Sequence, residues 1–166
     1  MAAESTSFVL NRWMTMHSAL WNFTLDFYAK PGVEAALLHL QDRGANVCAL
    51  ICGVWLGQRG VPYDAARADI LRRFAADWEK RVVRPLRELR CAWKADSARD
   101  EALSTLRDGV KRLELDAEAE LVRRLEALTD CWHATGAGDT DAWLADLAPA
   151  AGLDALDTLR VMAGEV

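Results

Sequence analysis

Apolar residues along this chain recur at steps of three and four and nowhere alternate strictly, so the pattern predicts helices and no strands. Downstream of Ser18, the residues Ala19, Leu20, Phe23, Phe27 and Tyr28 form one stripe, which Trp21 and Leu25 widen. Pro31 disfavours helical backbone in the residue before it, which ends this helix at Lys30, and itself suits the first turn of the next. The second helix has Val33, Ala36, Leu37 and Leu40 on its apolar face and stops at Gly44. A third, capped by Asn46, is apolar nearly all round through Val47, Leu50, Ile51, Val54 and Trp55, as expected of a helix at the centre of a bundle. Gly57, Gly60 and Pro62 end it, and Asp64 opens a fourth that contains Ala68, Leu71, Phe74 and Ala75.

Between Asp77 and Lys94, Trp78, Val82, Leu86, Leu89 and Trp93 keep helical spacing straight through Pro85, which predicts a helix kinked at the proline rather than two helices. The longest stripe runs through Leu103, Leu106, Val110, Leu113, Ala117, Leu121, Leu125, Leu128 and Trp132. It predicts one long amphipathic helix near 98–133, packed lengthwise on its neighbours or on a coiled-coil partner. The run Gly-Ala-Gly-Asp at 136–139 reads as a loop, followed by short helices over Thr140 to Leu147 and Leu153 to Met162. The expected fold is therefore all-α, an irregular bundle of about six or seven helices. Its core draws on Trp21, Phe23, Phe27, Leu37, Leu50, Val54, Trp55, Leu71, Phe74, Trp78, Val82, Leu86, Leu89 and Trp93. Residues 1–16 are expected as a poorly ordered extension, with Met14 or Met16 an alternative start. Residues 17–166 are expected as one domain, an aromatic-rich part over 17–95 and an acidic part over 96–166.

Composition adds compartment and charge to this picture. The N-terminal stretch lacks a basic region followed by a sustained apolar run and a cleavage site, so no secretory signal is read there. The most apolar segment, Ala45 to Gly57, is too short to span a bilayer. Four cysteines without a C-x-x-C pair fit reduced thiols in the cytoplasm. The net charge of −5 is unevenly spread: residues 72–94 hold eight basic side chains against three acidic, and residues 95–166 hold seven against sixteen. The basic segment can be a solvated face paired with the acidic helix, or a surface for an anionic partner.

The stretch LWNFTLDFYAKPGVEAALLHLQD, continuing to GVWLGQRG, and the later WEKRVVRPLRELRCAWK resemble a proteobacterial family of small proteins of unknown function (DUF2390-like). The similarity covers about residues 18–94 and weakens to about 128. It implies an all-helical, bacterial, cytosolic protein and implies no activity. Relatives tend to have Asp-Val-Asn where this chain reads Asn46-Val47-Cys48. If those polar residues form a site in the family, it is altered here; if they cap a helix, Asn46 serves equally.

No catalytic, metal or cofactor signature emerges. Cys48 and Cys52 share a helix face but lack the paired ligands of a zinc site, so small buried thiols explain them better. Cys131 and His133 sit two apart, which on a helix points them in different directions. There is no D-D-x-x-D array, Glu-x-x-His pair or glycine-rich phosphate loop. Two candidate surfaces stand out. Trp21, Tyr28, Gln41, Asp42 and Asn46 could line a ligand pocket between the first three helices. Lys80, Arg81, Arg84, Arg87, Arg90 and Lys94 could hold an anion or an acidic partner; nucleic acid is disfavoured by the acidic whole and by the lack of aromatics interleaved with the arginines. The leading expectation is a non-enzymatic interaction module, homodimeric or bound to another protein. The alternatives are a small-molecule binder or unrecognised enzyme using the pocket, and anion binding on the basic helix.

Overall fold

The computed structural model describes residues 18–150 and 152–164, so the expectation for residues 1–16 lies outside the described residues. Every regular element among them is helical. Helix α1 (Ala19–Tyr28) is capped by Ser18, whose side chain accepts from the Trp21 N–H. The carboxylate of Glu126 also reaches this end, accepting from the backbone N–H groups of Ala19 at 3.0 Å and Leu20 at 3.3 Å and from the Ser18 hydroxyl. A carboxylate there is favoured because the first N–H groups of a helix have no partner within it.

Helix α2 (Val33–Asp42) starts later than the proline suggested. Pro31 and Gly32 make the turn, and Gly32 stands at φ 79°, a left-handed conformation that glycine takes without steric cost. Helix α3 (Val47–Gln58) is capped by the Asn46 side chain, and every residue from Ala49 to Gly57 is buried. It lies at the centre, as its uniform apolarity predicted.

Helix α4 (Ala65–Trp78) opens on Asp64 and runs without a break into a π-helical turn, Glu79–Val83, and helix α5 (Arg84–Ala92). Pro85 has no N–H, and its ring would crowd the carbonyl four residues back. The π turn absorbs this: the Arg84 N–H reaches the Glu79 carbonyl, and Pro85 falls in the first turn of α5. The two helices expected on either side of residue 76 are thus one continuous rod. After a short turn of helix, α6 (Lys94–Ser97), comes α7 (Glu101–Thr129), 29 residues capped by Asp100 and slightly shorter than expected. It is about 43 Å long.

The last elements are α8 (Thr140–Leu147), capped by Asp139, and α9 (Leu153–Gly164). The acidic part is central at its end. Trp143 is fully buried, donates its indole N–H to the Val61 carbonyl at 3.2 Å, and stacks on Trp132 with centroids 6.2 Å apart. Helix α8 can approach α3 because residues 53 and 57 are glycines. A Cβ on Gly57 would stand 2.4 Å from Thr140 Oγ1 and 2.7 Å from Thr140 Cα, and one on Gly53 would stand 2.6 Å from Leu147 Cδ1.

The expected core holds for Phe27, Leu37, Leu50, Val54, Trp55 and Leu71. Trp21, Phe23, Phe74, Trp78, Val82, Leu86 and Trp93 are only half-buried, and Leu89 is exposed. Trp21, Phe23, Phe74 and Trp78 still pack against the core, and for Val82, Leu86, Leu89 and Trp93 the reason is architectural. Helices α5 and α6 and the first half of α7 pack chiefly on one another, as an arm with one layer of contact. Along α7 this leaves Leu106 and Leu113 exposed at 60% and 55%, whereas Val110, Ala117, Leu121 and Leu125 are buried. No described helix is long and apolar enough to cross a membrane.

Candidate functional site

Where the arm joins the body, the helices leave a cleft of about 680 Å³. Helix α1 contributes Trp21, Thr24, Leu25 and Tyr28, because residues 21, 25 and 28 follow one another at steps of four and three on one side of it. The end of α2 and the turn after it bring Leu38, Gln41, Ala45 and Asn46, and α3 adds Cys48 and Ile51. The opposite wall is charged. It comprises Glu79 of the π turn, Arg84, Arg87 and Arg90 of α5, and Glu114 and Glu118 of α7, with Leu121 and Val122 below them.

Two residue sets that the sequence offered separately therefore meet here. Of the pocket set, Trp21, Tyr28, Gln41 and Asn46 line the cleft, and Asp42 is exposed at the end of α2 and does not. Asn46 is also occupied as a cap, its side-chain oxygen accepting from the Ala49 N–H at 3.0 Å. Of the basic set, Arg84, Arg87 and Arg90 face the cleft. Lys80, Arg81 and Lys94 are exposed and outside it, and Arg81 pairs along its own helix with Asp77 at 3.3 Å.

Of the three arginines that line the cleft, Arg87 and Arg90 are already engaged. Arg87 directs Nε to Glu114 at 2.9 Å, one terminal nitrogen to Glu79 at 3.2 Å and the other to Glu118 at 3.0 Å. Arg90 donates to both oxygens of Glu114. Glu114 is 6% exposed, and both of its oxygens are in use. Burial pushes its carboxyl up, but the hydrogen bonds and charges of Arg90 and Arg87 outweigh this and hold it below the ordinary range. Glu118 goes the other way. Burial raises it, neighbouring Glu114 and Glu79 raise it further, and Arg87 offsets only part. Arg84 is exposed at the rim and has no hydrogen-bond or ion-pair partner among the described residues.

The aromatic wall feels the same field. Tyr28 is pushed up to about 12, chiefly by burial and further by negative charge at Glu118 and Glu34. Burial raises the Cys48 thiol, with Glu118 and Glu79 adding to it, so it stays protonated and is no thiolate nucleophile. Cys52 behind it is buried and likewise raised by burial. No group of three or more His, Cys, Asp or Glu side chains among the described residues converges as a metal site, and Cys131 and His133 are both exposed.

The carboxylates Glu114 and Glu118 are what the sequence pattern did not reveal. A signal existed. Residue 114 lies four after Val110 and three before Ala117, both on the buried stripe, so a charge there must be paired. Apolar spacing alone draws the stripe through Leu113, which faces solvent.

The chain matches the family model described as "Protein of unknown function (DUF2390)" over residues 19–125, which takes in every cleft-lining residue. No curated protein and no solved structure matches it.

Proposed function

The chain belongs to the DUF2390 family of proteins of unknown function, and from that premise we propose that it is a small-molecule-binding protein whose site is this cleft. One observation carries the reading. A cavity of about 680 Å³ has an apolar and aromatic wall on α1 to α3 facing a polar wall on α5 and α7. Ligand sites are concave, largely apolar and furnished with a few convergent polar groups, and bundle proteins set them between helices. A cytosolic setting goes with this reading, supported by the four free cysteines.

The test is thermal unfolding against a library of small metabolites, run in parallel on an Ala76→Trp variant. Ala76 is exposed and lines the mouth, so an indole there occupies the cavity without entering the core. A ligand at a hundred times its dissociation constant adds about 2.7 kcal/mol, or roughly 5–10 °C in Tm for a domain of this size. The expected result is that ligands raise the wild-type Tm by this amount and leave the variant unmoved. Equal shifts in both would place binding elsewhere, and no shift with any compound would sink the reading.

A second reading, a homodimeric interaction module, is supported by α7. Exposed Ala102, Leu106 and Leu113 with Gly109 between them follow steps of four, three and four, and nothing lies within 4 Å of a Cβ built on Gly109. That is a short heptad row on which a second copy could pack. Light scattering on wild type and Leu106→Glu/Leu113→Glu decides it: a monomer in both rejects the dimer.

A further inference from the structure

Deep in the charged wall both guanidinium groups are engaged, and Arg84, at the exposed rim, is the lining arginine without a partner among the described residues. Arg87 and Arg90 direct their side-chain bonds to Glu79, Glu114 and Glu118, so three carboxylates share two guanidinium groups. Glu114 has no oxygen left. Glu79 and Glu118 each bond Arg87 through Oε1 alone, and their Oε2 atoms have no partner among the described residues. Neither oxygen is sealed in protein, because no buried side-chain oxygen or nitrogen among the described residues lacks a partner. Facing them are two aromatic rings, Trp21 and Tyr28, whose faces attract cations, and the apolar Leu25 and Leu38.

We infer that the ligand of this cleft is a protonated amine on an apolar or aromatic body, its ammonium group donating to the free oxygens of Glu118 and Glu79 and its body lying against Trp21, Tyr28, Leu25 and Leu38. This rests on the binding function proposed above and names its ligand class. An ammonium supplies donors to oxygens that lack them. An anion would enter a wall whose two inner guanidinium groups are already bonded, beside carboxylates that repel it. The cation it could use is Arg84, which lines the cleft at its exposed rim.

Three ligand series that share their bodies and differ in their heads make the test, by titration calorimetry and amide chemical-shift mapping on the full chain. Tryptamine and n-octylamine are the amines, tryptophol and n-octanol the alcohols, and indole-3-propionate and nonanoate the carboxylates. Amines are expected to bind at least about tenfold tighter than the matched alcohols, the worth of a charge-assisted hydrogen bond. Glu118→Gln is expected to erase that preference while alcohol binding persists, a change of selectivity that a merely structural role for Glu118 would not produce. Should that variant not fold, as judged by circular dichroism, Glu79→Gln gives the same comparison. Carboxylates binding tighter than alcohols, with the gain lost in Arg84→Ala, would overturn the amine assignment and leave the cleft as an anion site. Alcohols matching the amines would overturn it too, again with the binding function intact. Silence from all three series, together with a blank metabolite screen, would take the binding function down as well.

Discussion

Replacing Glu114 by glutamine removes the one carboxylate that holds Arg87 and Arg90 together, and the structure sets the size of the effect. Breaking a fully buried ion pair costs about 3–5 kcal/mol because a charge is left without a partner, whereas exposed pairs are worth about 1 kcal/mol or less. Glu114 is buried, but its partners' side chains are 29% and 24% exposed, so water can reach both guanidinium groups. Arg87 also keeps Glu79 and Glu118, whereas Arg90 loses its only carboxylate among the described residues. The expected loss is therefore intermediate, about 2 kcal/mol, or a Tm lower by roughly 4–8 °C. Urea unfolding followed by far-ultraviolet circular dichroism measures it, and the slope against denaturant should not change. The pH dependence gives a second handle. The folded carboxyl lies below its ordinary 4.5, so its contribution is complete above that value and is lost as pH falls through the lower folded value. The gap between wild type and Glu114→Gln should accordingly narrow as acid is added below pH 4.5. A loss under about 0.5 kcal/mol at pH 7, or a gap that widens in acid, would refute the picture of a paired, buried carboxylate.

Glu118 should show the opposite sign, because its folded carboxyl lies above the ordinary 4.5: its stabilising share is complete below that value and is lost as pH rises through the raised one. Glu118→Gln is thus expected to unfold at higher urea than wild type at pH 7.5 and at nearly the same urea at pH 4, and a less stable variant at pH 7.5 would contradict this. Gly57→Ala is expected to destabilise by about 1–3 kcal/mol in thermal unfolding, since the new methyl meets the Thr140 backbone and overpacking exceeds the gain in helix propensity. Gly109→Ala, with open space around it, should stabilise by up to about 1 kcal/mol, and equal signs for the two glycines would refute the packing argument. Glu126→Gln removes the anion at the start of α1 and should cost about 1 kcal/mol, with faster amide exchange in residues 19–22 than in α3; uniform exchange would show that α1 is not anchored there.

The helices that could be read from sequence are those whose ends are written in local chemistry. Ser18, Asn46 and Asp64 each cap the helix that they precede, and α3 announces its central place by having no polar face. What escaped was chirality and closeness of approach. The pattern credits the turn at Pro31 to the proline, although Gly32 supplies the left-handed backbone. Gly57 reads as a helix stop, although it lies inside α3 as the surface on which α8 rests. A glycine that permits a turn and one that permits a neighbour look alike in a single sequence, because what distinguishes them is far away along the chain. The tail is undervalued for the same reason. Trp143 has no periodic context long enough to mark it as core, yet it is the largest fully buried side chain.

The site was half legible, and the half that stayed hidden decides its chemistry. Trp21 and Tyr28 were legible as pocket candidates, and Lys80, Arg81, Arg84, Arg87, Arg90 and Lys94 as one basic surface, of which the fold turns only Arg84, Arg87 and Arg90 to the cleft. Read alone, the arginines point to an anion, because a basic helix in isolation is an unsatisfied cation. Charge, however, is a property of a neighbourhood. Only the fold sets α7 against α5, and it brings Glu114 and Glu118 beside Arg87 and Arg90. Once three carboxylates face the guanidinium groups of Arg87 and Arg90, the basic helix becomes the positive half of a wall whose inner open atoms are oxygens, with Arg84 open at the rim. The apparent anion site of the sequence thus becomes, in the folded chain, a place that favours a cation. The experiment that separates these two outcomes is a change of head group on an unchanged ligand body.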